Sequence, residues 1–198
     1  MSGSRVGGIV LGGGRSTRMG SPKALLEWHG QPLVAHVAEV VSRVASPVVV
    51  VHASNQELPP LPAGVELAED AHPDRGPLEG LAAGLRHLQG RAELAVVAAT
   101  DLPLLHAGFL AALVDRIGEA PVIAPVAEGR PHPLAAVYRV DMLGRVEEQL
   151  AADRLRVSLL LEDPGAVLVD AASLPHPESL RDVNDPGELA AARAGDSG

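Results

Sequence analysis

The sequence predicts an α/β fold, a mainly parallel sheet covered by helices on both faces. Three observations predict it: short continuous apolar runs, segments of helical periodicity alternating with them, and a glycine-rich loop directly after the first run. The run at 6–11 is rich in Val and Ile and bounded by Gly7-Gly8 and Gly12-Gly13-Gly14, so it reads as a buried strand ending in a tight loop. Pro32 can open a helix in which Leu33, Val34, Val37, Val40, Val41 and Val44 share one face, and Pro47 ends it. Residues 48–51 and 65–68 give two more strands, joined by a polar, proline-rich connection. A helix over 78–88 follows, carrying Leu81, Leu85 and Leu88 at helical spacing.

The apolar run at 94–99 is a further strand that stops abruptly at Thr100-Asp101-Leu102-Pro103. Phe109, Leu110, Leu113, Val114 and Ile117 then trace an amphipathic helix. Strands at 122–126 and 134–138 are separated by Gly129-Arg130-Pro131, which reads as a turn. Helical patterns at 140–150 and 157–161, a last strand at 166–169 and a helix over 186–194 complete the reading. One domain is expected over 1–194, with 195–198 as a disordered tail.

Composition narrows the function. Of the 198 residues 46% are hydrophobic and 21% charged, an ordinary globular balance. Phe109, Trp28 and Tyr138 are the sole aromatics, too few for a base-stacking platform on single-stranded nucleic acid. A net charge of −9 disfavours nucleic acid and acidic membranes as partners, so any anionic ligand must be handled locally. The absence of cysteine excludes disulfides, thiolate metal sites and a cysteine nucleophile. Met1-Ser2-Gly3-Ser4 lacks the pattern of a secretory signal, and no apolar run nears the roughly 20 residues that span a bilayer. A soluble, cytoplasmic protein is expected.

The loop at 11–23 (Leu11, Gly12, Gly13, Gly14, Arg15, Ser16, Thr17, Arg18, Met19, Gly20, Ser21, Pro22, Lys23) suits a polyphosphate. Its glycines let backbone N–H groups approach phosphate oxygens, and Arg15, Arg18 and Lys23 neutralise charge. Thr17 stands where a dinucleotide fingerprint needs its third glycine, and no Gly-Lys-Ser/Thr follows at P-loop spacing. The chain has 15 arginines and one lysine, and that lysine is Lys23. A single ammonium in so arginine-biased a sequence marks a position wanting a compact point charge.

Asp101, at the end of a central strand, can hold a magnesium ion against phosphate oxygens; the alternative is that it caps the following turn with Thr100. Asp70 closes the third strand and can face the same cleft or a solvated turn. Gly76, Pro77 and Leu78 open a helix whose N-terminal N–H groups can receive a phosphate.

With these motifs in this order, the chain resembles the molybdenum cofactor guanylyltransferases, the MobA family, within a wider group of NTP transferases acting on sugars and pterins. The resemblance spans nearly the whole chain. It is carried by the loop through Lys23, by Gly76-Pro77-Leu78, by Thr100-Asp101-Leu102-Pro103, by His132-Pro133-Leu134-Ala135-Ala136-Val137-Tyr138, by Arg156-Val157 and by Val183-Asn184-Asp185-Pro186. It implies a Rossmann-like nucleotidyltransferase domain with GTP and molybdopterin as substrates and Mg²⁺ as cofactor. The pterin's terminal phosphate would attack the α-phosphorus of GTP and release pyrophosphate.

By the same resemblance Lys23, Arg18 and Asp101 would be catalytic, with Asp101 the metal ligand. Leu11 to Ser16, Asp70 and Gly76-Pro77-Leu78 would hold the nucleotide. His132, Tyr138, Arg154 and Arg156 would border the pterin, Arg156 meeting its phosphate, and Asn184 would be a further binding residue. His132 is read as a hydrogen-bonding residue rather than a metal ligand. Transient contact with proteins that make or accept the cofactor is also implied. The Gly12-Gly13 pair leans toward guanine, whereas Ser21-Pro22 before Lys23, and Asp182-Val183-Asn184-Asp185 near the end, depart from the guanylyl pattern. A CTP-using relative, a transferase acting on another phosphate acceptor and a silent nucleotide-binding module are the alternatives.

Overall fold

A computed structural model describes residues 4–12 and 25–196. The strands are β1 (Val6–Leu11), β2 (Glu27–Trp28), β3 (Gln31–Pro32), β4 (Val48–Ala53), β5 (Val65–Asp70), β6 (Leu94–Ala99), β7 (Val122–Ala127), β8 (Arg130–Pro131), β9 (Ala135–Arg139) and β10 (Val167–Asp170). The helices are α1 (Leu33–Ser42), α2 (Pro77–Leu88), α3 (Ala107–Arg116), α4 (Leu143–Ala151) and α5 (Pro186–Asp196). The main sheet runs β10-β7-β9-β6-β1-β4-β5. All neighbours pair in parallel except β9, which is antiparallel to both β6 and β7. The mixed, mainly parallel α/β fold read from the sequence is therefore what forms, with one strand reversed near its middle.

Two short hairpins add to the strands read from the sequence, one of them in place of an expected turn. Arg130–Pro131 is not part of a turn: it pairs with Val126 and Ala127 as β8, and the turn is Glu128-Gly129. Both turn residues have positive φ, 51° and 73°, as a two-residue type I′ hairpin requires. His29-Gly30, at 45° and 84°, turns β2 into β3 in the same way. Residues 140–142 form a 3-10 turn ahead of α4, and Val157–Glu162 is 3-10 rather than α-helical. The last helix extends two residues past 194.

Because the sheet is covered on both sides, its central strands are apolar on both sides, while the edge strands β5 and β10 keep exposed positions. Val10, Val48, Val50, Val96 and Ala98 pack with α1, α3 and α5; Ile9, Leu11, Val49, Val51, Ala95 and Val97 pack with α2 and α4. Leu11, Val51 and Ala99 stand side by side, as do Ala53 and Asp70, so β1, β4, β5 and β6 end at one carboxyl edge. That edge is where open α/β sheets bind ligands.

Candidate functional site

The edge is built first by hydrogen bonds that fix where β1 and β6 release the chain. The Gly12 N–H donates to Val51 O at 2.8 Å, and its carbonyl accepts from Gln56 Nε2 at 2.8 Å. A Cβ on Gly12 would lie 3.2 Å from both Val50 Cγ1 and Val51 O, so only glycine passes here without a shift. Leu11 O accepts the Thr100 hydroxyl at 2.8 Å and, more loosely, the Thr100 N–H at 3.4 Å. Thr100 is 4% exposed, and its hydroxyl faces back to β1 instead of capping the turn ahead. Asp101 is thereby presented at the end of the central strand, its carbonyl accepting from Val183 N–H at 2.9 Å. Leu11, Gly12 and Asp101 thus lie together. Gly13, Gly14, Arg15, Ser16, Arg18 and Lys23 lie outside the described residues.

On one flank stand β5 and α2. Asp70 is half-buried, with Oδ1 accepting the His72 N–H at 2.9 Å. Burial raises its carboxyl above the usual range; the His72 N–H works against this and the nearby Glu79 carboxylate adds to it. Gly76 precedes α2 with φ of 89°, a conformation open to glycine, and Pro77 takes the first helical position, where a missing N–H costs nothing. Leu78 is fully buried and anchors the helix start. The first turn of α2 has no side-chain cap; Pro77 brings no N–H and the Glu79 N–H turns back to Gly76 O at 3.3 Å, at the same edge as Asp70.

The other flank joins distant segments. His132 donates its N–H to Pro125 O at 2.9 Å, and burial lowers its imidazole pKa against the opposing pull of the Asp182 carboxylate. Asn184 Nδ2 donates to Asp182 Oδ2 at 2.8 Å, and its N–H donates to Glu188 Oε2 at 2.6 Å. Through Val183 this C-terminal segment meets Asp101. Tyr138 does not border a substrate: it is fully buried, its hydroxyl donates to Pro133 O at 2.8 Å, and burial pushes the phenol upward. Its place in β9 turns it into the core beneath α2 and α4. Arg154 and Arg156 are exposed on the segment leaving α4.

Among the described residues no three His, Asp or Glu side chains converge on one metal position. Mg²⁺ is ordinarily held through one or two carboxylates together with substrate phosphates and water, so it needs no such cluster. Asp101 is the carboxylate residue that follows the central strand β6 at this edge.

Sequence reasoning missed Gln56, the true direction of the Thr100 hydroxyl, Arg75 and Gln149. Gln149 alone carried a signal: it falls on the buried stripe of α4 with Leu143, Val146 and Leu150, a polar residue at an apolar position.

Similarity to known proteins agrees with this geometry. A family model described as MobA-like NTP transferase domain matches residues 8–165. A Mycobacterium bovis protein named probable molybdenum cofactor guanylyltransferase is 36% identical over 187 residues, covering 90% of this chain and 92% of that one. A Mycobacterium marinum protein of the same name matches with the same identity and coverage. In fold, the chain is similar to molybdopterin-guanine dinucleotide biosynthesis protein A from Archaeoglobus fulgidus, with TM-score 0.77, 24% identity and coverage of 96% and 98%. It is also similar to 2-C-methyl-D-erythritol 4-phosphate cytidylyltransferase from Thermus thermophilus, with TM-score 0.69, 18% identity and coverage of 98% and 100%. With the family model matching most of its length and relatives 36% identical over nine tenths of it, this chain belongs to the MobA-like NTP transferase family.

Proposed function

We propose that the protein transfers GMP from GTP to molybdopterin, forming a guanine dinucleotide cofactor and pyrophosphate. The reading rests on one juxtaposition: Asp101 is tied by Thr100 to the carbonyl of Leu11, where the glycine loop begins. The nucleotide triphosphate lies in the loop, with Gly13, Gly14 and Ser16 supplying N–H donors and Arg15, Arg18 and Lys23 supplying positive charge, while Gly12, its N–H held by Val51 O, lets the chain leave the strand beside the phosphates. Asp70 and the start of α2 at Gly76-Pro77-Leu78 line the nucleotide side. His132, Asn184 and Arg156 line the acceptor side, Arg156 holding the terminal phosphate through its guanidinium fork.

Mg²⁺, held by Asp101 when bound, supplies positive charge at the α-phosphate and the leaving pyrophosphate. A terminal phosphate oxygen of the pterin bonds to the α-phosphorus, the bond from that phosphorus to the bridging oxygen breaks, and the electron pair leaves with pyrophosphate. No side chain forms a covalent intermediate. Positioning and charge supply the acceleration, with Lys23 and Arg18 stabilising charge that shifts toward the leaving group.

Pyrophosphate release measured with each NTP, molybdopterin and Mg²⁺ tests the reading. GTP should turn over well ahead of CTP, and equal turnover would overturn the guanylyl assignment. The second reading, a CTP-using transferase, is favoured by Ser21-Pro22 before Lys23. Asp101→Asn should abolish turnover and leave the fold intact, and a near-normal rate would remove Asp101 from the metal role. Lys23→Met should raise the dissociation constant for GTP; unchanged binding would leave that lysine a surface residue.

A further inference from the structure

The segment carrying Arg154 and Arg156 is held more firmly than an exposed connection needs. α4 ends in a Schellman cap, with the Asp153 N–H donating to Leu150 O at 3.1 Å and the Arg154 N–H to Gln149 O at 3.0 Å. The left-handed residue of such a cap is usually glycine; here it is Asp153, at φ of 54°. Its carboxylate accepts from Arg75 Nη2 at 3.1 Å, and the same nitrogen donates to Leu150 O at 3.0 Å. Arg75 also pairs with Glu79, in the first turn of α2. Gln149, 5% exposed, donates its side-chain N–H to Arg156 O at 2.8 Å.

A glutamine buried among leucines and a valine is unfavourable unless its amide is used. Here one residue grips both arginines: its main chain holds Arg154 and its side chain holds Arg156. Arg75, immediately before Gly76-Pro77-Leu78, fastens the turn just ahead of Arg154, at Leu150 and Asp153, to the helix start on the nucleotide side.

We propose that Gln149 and Arg75 are positioning residues for the acceptor half of the site. Gln149 sets Arg156 to meet the acceptor's terminal phosphate, and Arg75 ties the arginine segment to the start of α2. Neither touches the reacting atoms. The inference rests on reading Arg156 as the residue that holds that phosphate.

The test measures KM for molybdopterin and for GTP separately, with melting temperature, in the full chain carrying Arg156→Ala, Gln149→Met, Asp153→Gly or Gln149→Met with Arg156→Ala. Loss of the buried bond in Gln149→Met should raise the acceptor KM about five- to tenfold and leave the GTP KM within about twofold. It should add nothing to Arg156→Ala. Asp153→Gly suits the cap better yet cuts the tie to Arg75, so melting should hold or rise while the acceptor KM rises about threefold. This second variant keeps the test decisive where Gln149→Met fails to fold. An acceptor KM raised by Arg156→Ala alone would overturn the positioning proposal and spare the reading of Arg156. Equal rises in both KM values, or effects that add in the double variant, would also overturn it. An unchanged acceptor KM in Arg156→Ala would overturn both.

Discussion

Replacing Thr100 by valine removes a hydroxyl while keeping its volume. The lost bond is the 2.8 Å donation to Leu11 O from a residue 4% exposed, and no water can easily take its place. Leu11 O keeps the Thr100 N–H at 3.4 Å, a long contact, so the carbonyl is left weakly satisfied rather than bare. The cost should be about 1–2 kcal/mol, between an ordinary net hydrogen bond and a fully orphaned buried acceptor. For a chain of this length that is a fall in melting temperature of roughly 2–8 °C. Thr100→Ser keeps the bond and loses one buried methyl, about 0.8 kcal/mol, so the two variants should melt close together. Their activities should part. Thr100 ties Asp101 to the start of the glycine loop, and valine should lower kcat/KM for GTP about tenfold, short of the roughly hundredfold loss that a 1 Å misplacement brings. Serine should stay near the parent rate. Pyrophosphate release and urea melts on the two variants check this. A valine variant as active as the serine variant would refute the link between the strand tie and the placement of Asp101.

Three further outcomes can be measured alongside. Gly84→Ala should destabilise despite a helix-propensity gain of about 1 kcal/mol: the new Cβ would lie 2.6 Å from Ile9 Cγ2, and overpacking of about 1–3 kcal/mol outweighs it, read as a lower urea midpoint. Glu66 is held to a pKa of about 2 by hydrogen bonds from Arg91 and then His87, so its contribution is present above the unfolded carboxylate range near 4.5 and fades as pH falls toward 2. Because the pair is exposed, Glu66→Gln should cost no more than about 1 kcal/mol at pH 7 and flatten the acid side of the pH–stability curve. Asp70 runs the other way: its raised pKa means that ionisation weakens the fold as pH climbs through the shifted range. Asp70→Asn should therefore melt no lower than the parent at neutral pH while raising the KM for GTP, and a lower melting temperature would contradict the sign of that shift.

The strands of the sheet were legible because continuous apolar runs of six residues, such as 94–99, can be buried on both faces. Direction was not legible: a strand apolar on both faces reads the same whichever way it runs, so nothing in Ala135–Arg139 announced that β9 is reversed. Val157–Glu162 is too short for its spacing to separate a 3-10 turn from an α-helix, and two-residue strands such as Glu27–Trp28 show no period at all. That Asp101, Asp70 and Gly76 share one edge was readable because each ends or follows a strand or opens a helix, positions that topology sends there. The hydrogen bonds from Gln56 to Gly12 O and from Gln149 to Arg156 O end on main-chain carbonyls, which every residue possesses and no motif marks. Tyr138 was misread for a related cause: its motif lies beside the cleft in sequence, but strand alternation turns this side chain under the sheet.

The bond from Val183 to Asp101 gives the site a history as well as a shape. A polypeptide emerging from the ribosome can close β1 against β4 and β6 once residue 99 is out, and add β10 with residue 170. Val183 lies beyond all of these strands, so its tie to Asp101 forms only after every segment of the sheet has been made. The strand end is thus latched by a stretch of chain that belongs to no strand of the sheet it closes.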